Sequence, residues 1–214
     1  GDAAPAALQR RYVEACGAMI DYFQQHTALR LVARTYSPDY YSDRPGASRG
    51  GRSLDPAEFD GRALKQRFKE LRDPLAEFVV LGGMMVNLTD VKHLLAITRS
   101  FASFRHGMKL LLRYASDRLR GHHRGTRLLL GNALAASLFK SVLDRGIPYW
   151  LEAPVQALRI GPAGVNGVSV QHRGKRVEIA ARRGVVVATG GFPWDEALRA
   201  EQFPRPTGPW SMSP

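Results

Sequence analysis

The sequence has a single cysteine, Cys16, among its 214 residues. One thiol excludes an intrachain disulfide and any cysteine-based metal site, and a reducing cytoplasm is the expected compartment. Long apolar runs are missing too, so no transmembrane helix is expected. The opening GDAAPAALQRR has no apolar core of the kind a signal peptide needs. Acidic residues are scarce, 19 Asp and Glu against 31 Lys and Arg, for a formal charge of +12. Such a balance raises nucleic acid as a partner. The arginines are scattered, however, and there is no zinc finger, no RNP-type aromatic box and no basic run of five, so no nucleic-acid partner is expected. Six histidines are present, but they show no ligand spacing, and no metal is expected. Missing as well is G-x-G-x-x-G at a helix start, the dinucleotide fingerprint.

What is present is ordinary globular composition, with 44% apolar and 23% charged residues. Leu8, Tyr12, Cys16, Met19 and Phe23 recur at helical spacing and predict a helix over 6–26. Leu29, Leu31 and Ala33 predict a short strand. Residues 35–61, rich in Pro, Gly, Ser and Asp, read as one long irregular loop, and loops of that length are often functional. Leu64, Phe68 and Leu71 mark a short helix. Thr89 or Asp90 is placed to cap a helix running to Phe101. Gly107 is expected to weaken or break the helical pattern before a further helix over Met108–Leu119. GHHRG at 121–125 reads as a turn. The stretch 131–146 predicts a helix with Leu134, Leu138 and Val142 on one side, closed by Gly146. IPYWLEAPVQALRI reads as strand, kink at Pro154, strand. GVSVQH and RVEIAA flank Arg173-Gly174-Lys175 as a hairpin with a loop of three to four residues.

The stretch RGVVVATGGF, 183–192, is the most informative. Three valines predict a strand buried on both faces, and it runs into Gly190 and Gly191. Paired glycines permit a sharp turn or the close approach of something large. Ligands of open α/β sheets sit beyond the carboxyl ends of such strands.

Gly131-Asn132-Ala133-Leu134 opening a helix, the pair Pro154-Val155, antiparallel strands over 165–181, and Ala188-Thr189-Gly190-Gly191-Phe192 stand in an order that resembles the fumarate reductase and 3-ketosteroid 1-dehydrogenase flavoproteins. PDYYSDRPGASRGGRSLDP, RGTRLLLGNAL and RGIPYW resemble the steroid branch. The resemblance implies an α/β fold: part of a Rossmann-like FAD-binding domain with a β-meander and a helical insertion, lacking the N-terminal dinucleotide-binding strand and helix. It implies three stretches. Residues 1–126 would be the helical, loop-rich part near the substrate side. Residues 127–192 would be the helix, meander and buried strand. Residues 193–214 would start a truncated catalytic domain. The cofactor would be FAD. Pro154 and Val155 would meet the adenine, and Ala188, Thr189, Gly190 and Gly191 would lie along the phosphate and ribityl region.

The activity implied is 1,2-dehydrogenation of a 3-ketosteroid-type substrate, which loses a proton to a base and a hydride to flavin. Tyr40 or Tyr41 would serve that base, and the 214 residues alone would be inactive. Two other functions stay open. One is a fumarate-reductase-like or other enone-reducing flavoprotein, which would use His122, Arg124 and Arg127 on a dicarboxylate. The other is a stand-alone basic binding module without cofactor.

Overall fold

The computed structural model describes residues 5–203 and divides the chain into two units, 1–148 and 149–214. In the first, α1 spans Ala6–His26. Beyond its end, Arg30 Nη1 donates to the carbonyl of Gln24, one the last turn leaves open, and to those of Thr27 and Leu29, at 2.8, 2.8 and 2.7 Å. No residue of α1 is buried.

Strand β1 (Leu31–Ala33) pairs antiparallel with β2 (Leu54–Pro56) in the register Leu31↔Pro56. The segment expected as one long loop therefore contains β2 and β3 (Phe59–Asp60). Sequence periodicity misses them because elements of two or three residues show no repeat. A 3₁₀ segment, Gly61–Glu70, follows, kinked at Lys65 with φ 52°. Strands β4 (Val79–Val80) and β5 (Met84–Met85) form a small hairpin.

Helices α2 (Leu88–Leu95) and α3 (Phe101–Leu119) depart from expectation. The cap of α2 is Asn87, whose side chain accepts from the Asp90 amide while Asp90 accepts from the Asn87 amide; this is a reciprocal capping box. The helical pattern breaks at residues 96–100, with Ser100 capping α3. Gly107 breaks nothing. It lies inside α3, where a Cβ would stand 2.6 Å from Cδ1 of Ile97, a residue of the link between α2 and α3 that packs over the glycine.

Strand β6 (Arg127–Leu128) pairs with β3 and leads into α4 (Leu130–Asp144). The buried side of α4 is small, Ala133, Ala136, Ser137 and Ser141, and Leu134 is exposed. Alanines and serines allow the helix to lie close to the core formed by Leu64, Phe68, Met85, Leu128 and Leu129. Gly146 closes α4 as expected: its φ is +61°, its amide bonds Leu143 O and the Ile147 amide bonds Val142 O, which is a Schellman stop.

The second unit holds a three-stranded antiparallel sheet in the order β7 (Val155–Gly161), β8 (Gly164–His172), β9 (Lys175–Ala180). The β8–β9 turn has two residues, not three or four. Arg173 and Gly174 have φ of 50° and 74°, and His172 pairs with Lys175, as a type I′ turn requires. Residues 147–153 form no strand, and residues 185–188 are neither strand nor buried, with Val186 91% exposed. Among the described residues no strand pairs with them, and valine's preference for extended backbone makes no strand without a hydrogen-bonding partner. A short helix, α5 (Glu196–Gln202), completes the described chain.

Candidate functional site

The 39–53 segment is shaped by its own polar contacts. Asp39 accepts from the Ser48 amide at 2.9 Å and from Arg52 Nη1 at 2.7 Å, and Arg52 Nη2 donates to Gly46 O at 2.6 Å. Backbone bonds join Ser37 to Arg49 and Arg34 to Ser53. At Gly50 a Cβ would stand 2.0 Å from Thr35 O, so only glycine fits. Held in this way, the segment forms an open cavity of about 780 Å³ whose walls include Arg34, Asp39, Tyr40, Tyr41, Arg44 and Arg52. Tyr40 is fully exposed and Tyr41 largely so, with Arg44 Cζ 6.0 Å from the Tyr41 ring centre. The two tyrosines named from the sequence therefore share one cavity. The Asp39–Arg52 link that shapes it joins residues 13 apart, a separation that shows no periodic signal.

The expected cofactor residues lie in the second unit. Pro154 O accepts from the Gln171 amide at 3.0 Å. A trans peptide points its C=O and N–H in opposite directions, so the Val155 N–H faces away from β8. In extended backbone the Val155 C=O follows it. Val155 is half exposed, and β7 is an edge strand among the described residues. Position 155 thus presents one donor and one acceptor at an open edge, the pair an adenine edge matches. Gly190 has φ +83° and nothing within 4 Å of where a Cβ would stand, whereas Gly191 has no positive φ. Ala188 and Thr189 are exposed. The open donor and acceptor at position 155 and the free space around Gly190 are each compatible with a nucleotide's chemistry.

Of the basic residues 122–127, Arg124 is buried and Arg127 largely so, whereas His123 is exposed. Arg124 is 3% exposed, lies 4.7 Å over the Phe68 ring, donates to Asn132 Oδ1 at 3.1 Å and pairs with Asp73 at 2.9 Å. Burial lowers its pKa against the opposing pull of Asp73. His123 meets Asp73 at 3.0 Å and His122 sits edge-on to Phe68. Arg127 donates to Glu58 Oε2 at 2.6 Å and to Asp90 Oδ2 at 2.7 Å. Asp90 is 1% exposed and also meets His106 Nε2 at 2.8 Å. Burial alone would raise the Asp90 pKa, but the bonds from Asn87, Arg127 and His106 hold it below the ordinary carboxylate range. Asp117, equally buried, accepts from both the amide and hydroxyl of Thr126. The sequence reading missed Asp90 as a hub; the Asn87–Asp90 spacing of a capping box was the available signal.

The whole chain, residues 1–214, matches the family described as "FAD binding domain". This protein belongs to that family. Its cofactor is FAD. Similar curated proteins include the 4-oxocyclohex-2-ene-1-carboxylate 5-dehydrogenase of Sinomonas cyclohexanicum, 31% identical over 86% of this chain and 31% of that protein. Another is the 3-oxosteroid 1-dehydrogenase of Comamonas testosteroni, 29% identical over 92% of this chain and 34% of that protein. Among solved structures, the 3-ketosteroid delta1-dehydrogenase from Sterolibacterium denitrificans in complex with 1,4-androstadiene-3,17-dione is similar. Its TM-score is 0.80 at 32% identity, covering 95% of this chain and 37% of that one. The fold is thus that of the FAD-binding portion of an oxidoreductase. The chain spans about a third of the length of the curated relatives it matches. No helix among the described residues is long and apolar enough to cross a membrane.

Proposed function

We propose that the chain is the FAD-binding portion of a dehydrogenase acting on ring ketones of the 3-ketosteroid type, by 1,2-dehydrogenation. The observation that carries this reading is the likeness to the Sterolibacterium enzyme over 95% of the chain, with two tyrosines in one cavity of the first unit. When bound, the flavin accepts the electron pair. The edge of β7 at Val155 and the open backbone at Ala188–Gly191 hold the nucleotide, in the manner of the donor and acceptor pair described above. Tyr40 or Tyr41 supports the base that takes the substrate's proton, because a phenol hydrogen bond stabilises a neighbouring phenolate. In this reading residues 165–181 are the meander of the domain, and residues 1–126, 127–192 and 193–214 are its substrate-side, cofactor-side and catalytic-domain stretches. The 214 residues alone do not complete a substrate site.

A dicarboxylate reductase would need cationic groups free to clamp substrate. Arg124 and Arg127 are instead committed to Asp73, Asn132, Glu58 and Asp90, which weighs against that alternative. A cofactor-free module is set aside by the family match.

The test is steady-state kinetics of Tyr40→Phe, Tyr41→Phe and His122→Ala in the full-length, flavin-loaded enzyme, with a 3-ketosteroid and with fumarate. One tyrosine variant should lose about 10²-fold in kcat on the steroid with little change in KM. Wild-type turnover by both tyrosine variants would remove the assignment. Fumarate reduction that dies with His122→Ala would replace it.

A further inference from the structure

We infer that the outer face of α3, together with that of α2, docks on an anionic lipid surface. The inference is independent of the dehydrogenase reading. Helix α3 packs inward through Ser103, Gly107, Leu110 and Asp117, which are buried. At 3.6 residues per turn, the opposite side carries Phe101, Phe104, Met108, Leu112 and Leu119. All of these but Met108 are exposed, Phe101 at 79%. A helix on a protein surface ordinarily turns such a stripe to the core, and an exposed apolar patch of this kind marks a contact surface. Helix α2 repeats the pattern: Asp90 is buried, and Leu88 and Leu95 lie exposed on the far side.

The charges around this face are of one sign. Lys92, Arg99, Arg105 and Lys109 are exposed, and among the described residues no carboxylate pairs with them. Arg105 and Lys109, one turn apart, run along one edge of the α3 stripe. The two acidic residues between positions 88 and 119 are Asp90 and Asp117, both buried and bonded to Arg127 and Thr126 respectively. Helix α1 is the contrast. It too exposes apolar side chains, among them Leu8, Tyr12 and Met19. Its charges, however, are Arg10 and Arg11 against Glu14 and Asp21, which give an anionic surface no net attraction. On α2 and α3 the apolar groups can enter the acyl boundary while the ammonium and guanidinium groups reach the headgroups. A protein partner fits less well, because the cores of protein interfaces are depleted in lysine. Helix α3 is not apolar enough to cross a bilayer, so it lies along the surface.

The test is co-sedimentation of the full-length, flavin-loaded enzyme with vesicles of phosphatidylcholine and with vesicles of equimolar phosphatidylcholine and phosphatidylglycerol. The enzyme should bind the mixed vesicles at low salt and leave them as salt is raised. It should bind phosphatidylcholine alone about 100-fold more weakly. Lys92→Gln, Arg105→Gln and Lys109→Gln combined should weaken binding to mixed vesicles by roughly 100-fold, at about fivefold per cation near the surface. Phe101→Glu with Leu112→Glu should abolish it. These five side chains are exposed, so flavin content and melting temperature should stay at wild-type values. Hydroxyl-radical labelling should reach Phe101 and Leu112 in the vesicle-free enzyme and fail to reach them once vesicles are added. Absence of binding to the mixed vesicles, or equal binding to both kinds at every salt concentration, overturns the inference. So does protection of Phe101 and Leu112 without vesicles, which means that the rest of the polypeptide or a second copy covers the face. Displacement from vesicles by duplex DNA, with Phe101→Glu and Leu112→Glu silent, also overturns it and makes a nucleic acid the ligand.

Discussion

Replacing Asp90 by alanine should cost about 3 kcal/mol of stability. The carboxylate is 1% exposed and accepts from three donors: the Asn87 amide at 2.9 Å, Arg127 Nη1 at 2.7 Å and His106 Nε2 at 2.8 Å. Removing one partner of a buried pair costs about 3–5 kcal/mol, because the other charge is left uncompensated. Here Arg127 keeps Glu58 at 2.6 Å, which places the cost at the lower end. The loss of the α2 capping box adds to it. Chemical denaturation of Asp90→Ala, Arg127→Met and the double variant separates the contributions. The double variant should be less destabilised than the sum of the singles, since each single leaves the same network with an orphaned charge. The pH dependence follows from the depressed Asp90 pKa. A carboxyl held lower in the folded state than in the unfolded state, where it is about 3.9, contributes stability above that unfolded value. The contribution is lost as pH falls through the lower folded value. Asp90→Asn should therefore flatten the acid limb of the stability curve below about pH 4. A cost under about 1 kcal/mol for Asp90→Ala, together with strict additivity, would refute the argument.

Gly190→Val in the full-length protein should abolish FAD retention with the fold largely kept, because a branched residue is strained at φ +83° and its side chain projects toward the proposed dinucleotide path. Equal flavin absorbance in variant and wild type would remove that site. Gly107→Ala should change stability by less than about 1 kcal/mol, because the new methyl meets only the movable end of Ile97, Cδ1 at 2.6 Å, and the helix propensity gained over glycine offsets the shift. Denaturation midpoints check it, and a loss above about 2 kcal/mol would mean that Ile97 cannot move aside.

Local information was legible in the sequence wherever one element decides its own shape. The α1 helix, the Gly146 stop and the place of the β8–β9 turn, though not its two-residue length, follow from backbone preferences acting within a few residues. The order of Gly131–Leu134, Pro154-Val155 and Ala188–Phe192 was enough to point to a family, and the match over residues 1–214 agrees with it. Pairing and packing were decided elsewhere. Val185–Ala188 has the composition of a buried strand, yet a strand exists only with a partner, and none of the described residues supplies one. Gly107 reads as a helix breaker, yet it lies inside α3 with Ile97 packed over it. Asp90 and Arg127 are 37 residues apart, and Asp39 and Arg52 are 13 apart. Their bonds depend on where the chain returns in space, which no local periodicity encodes. For that reason the sequence by itself could only name Tyr40, Tyr41 and Val155 as candidates. Only the tertiary structure committed Arg124 to Asp73 and Arg127 to Glu58 and Asp90.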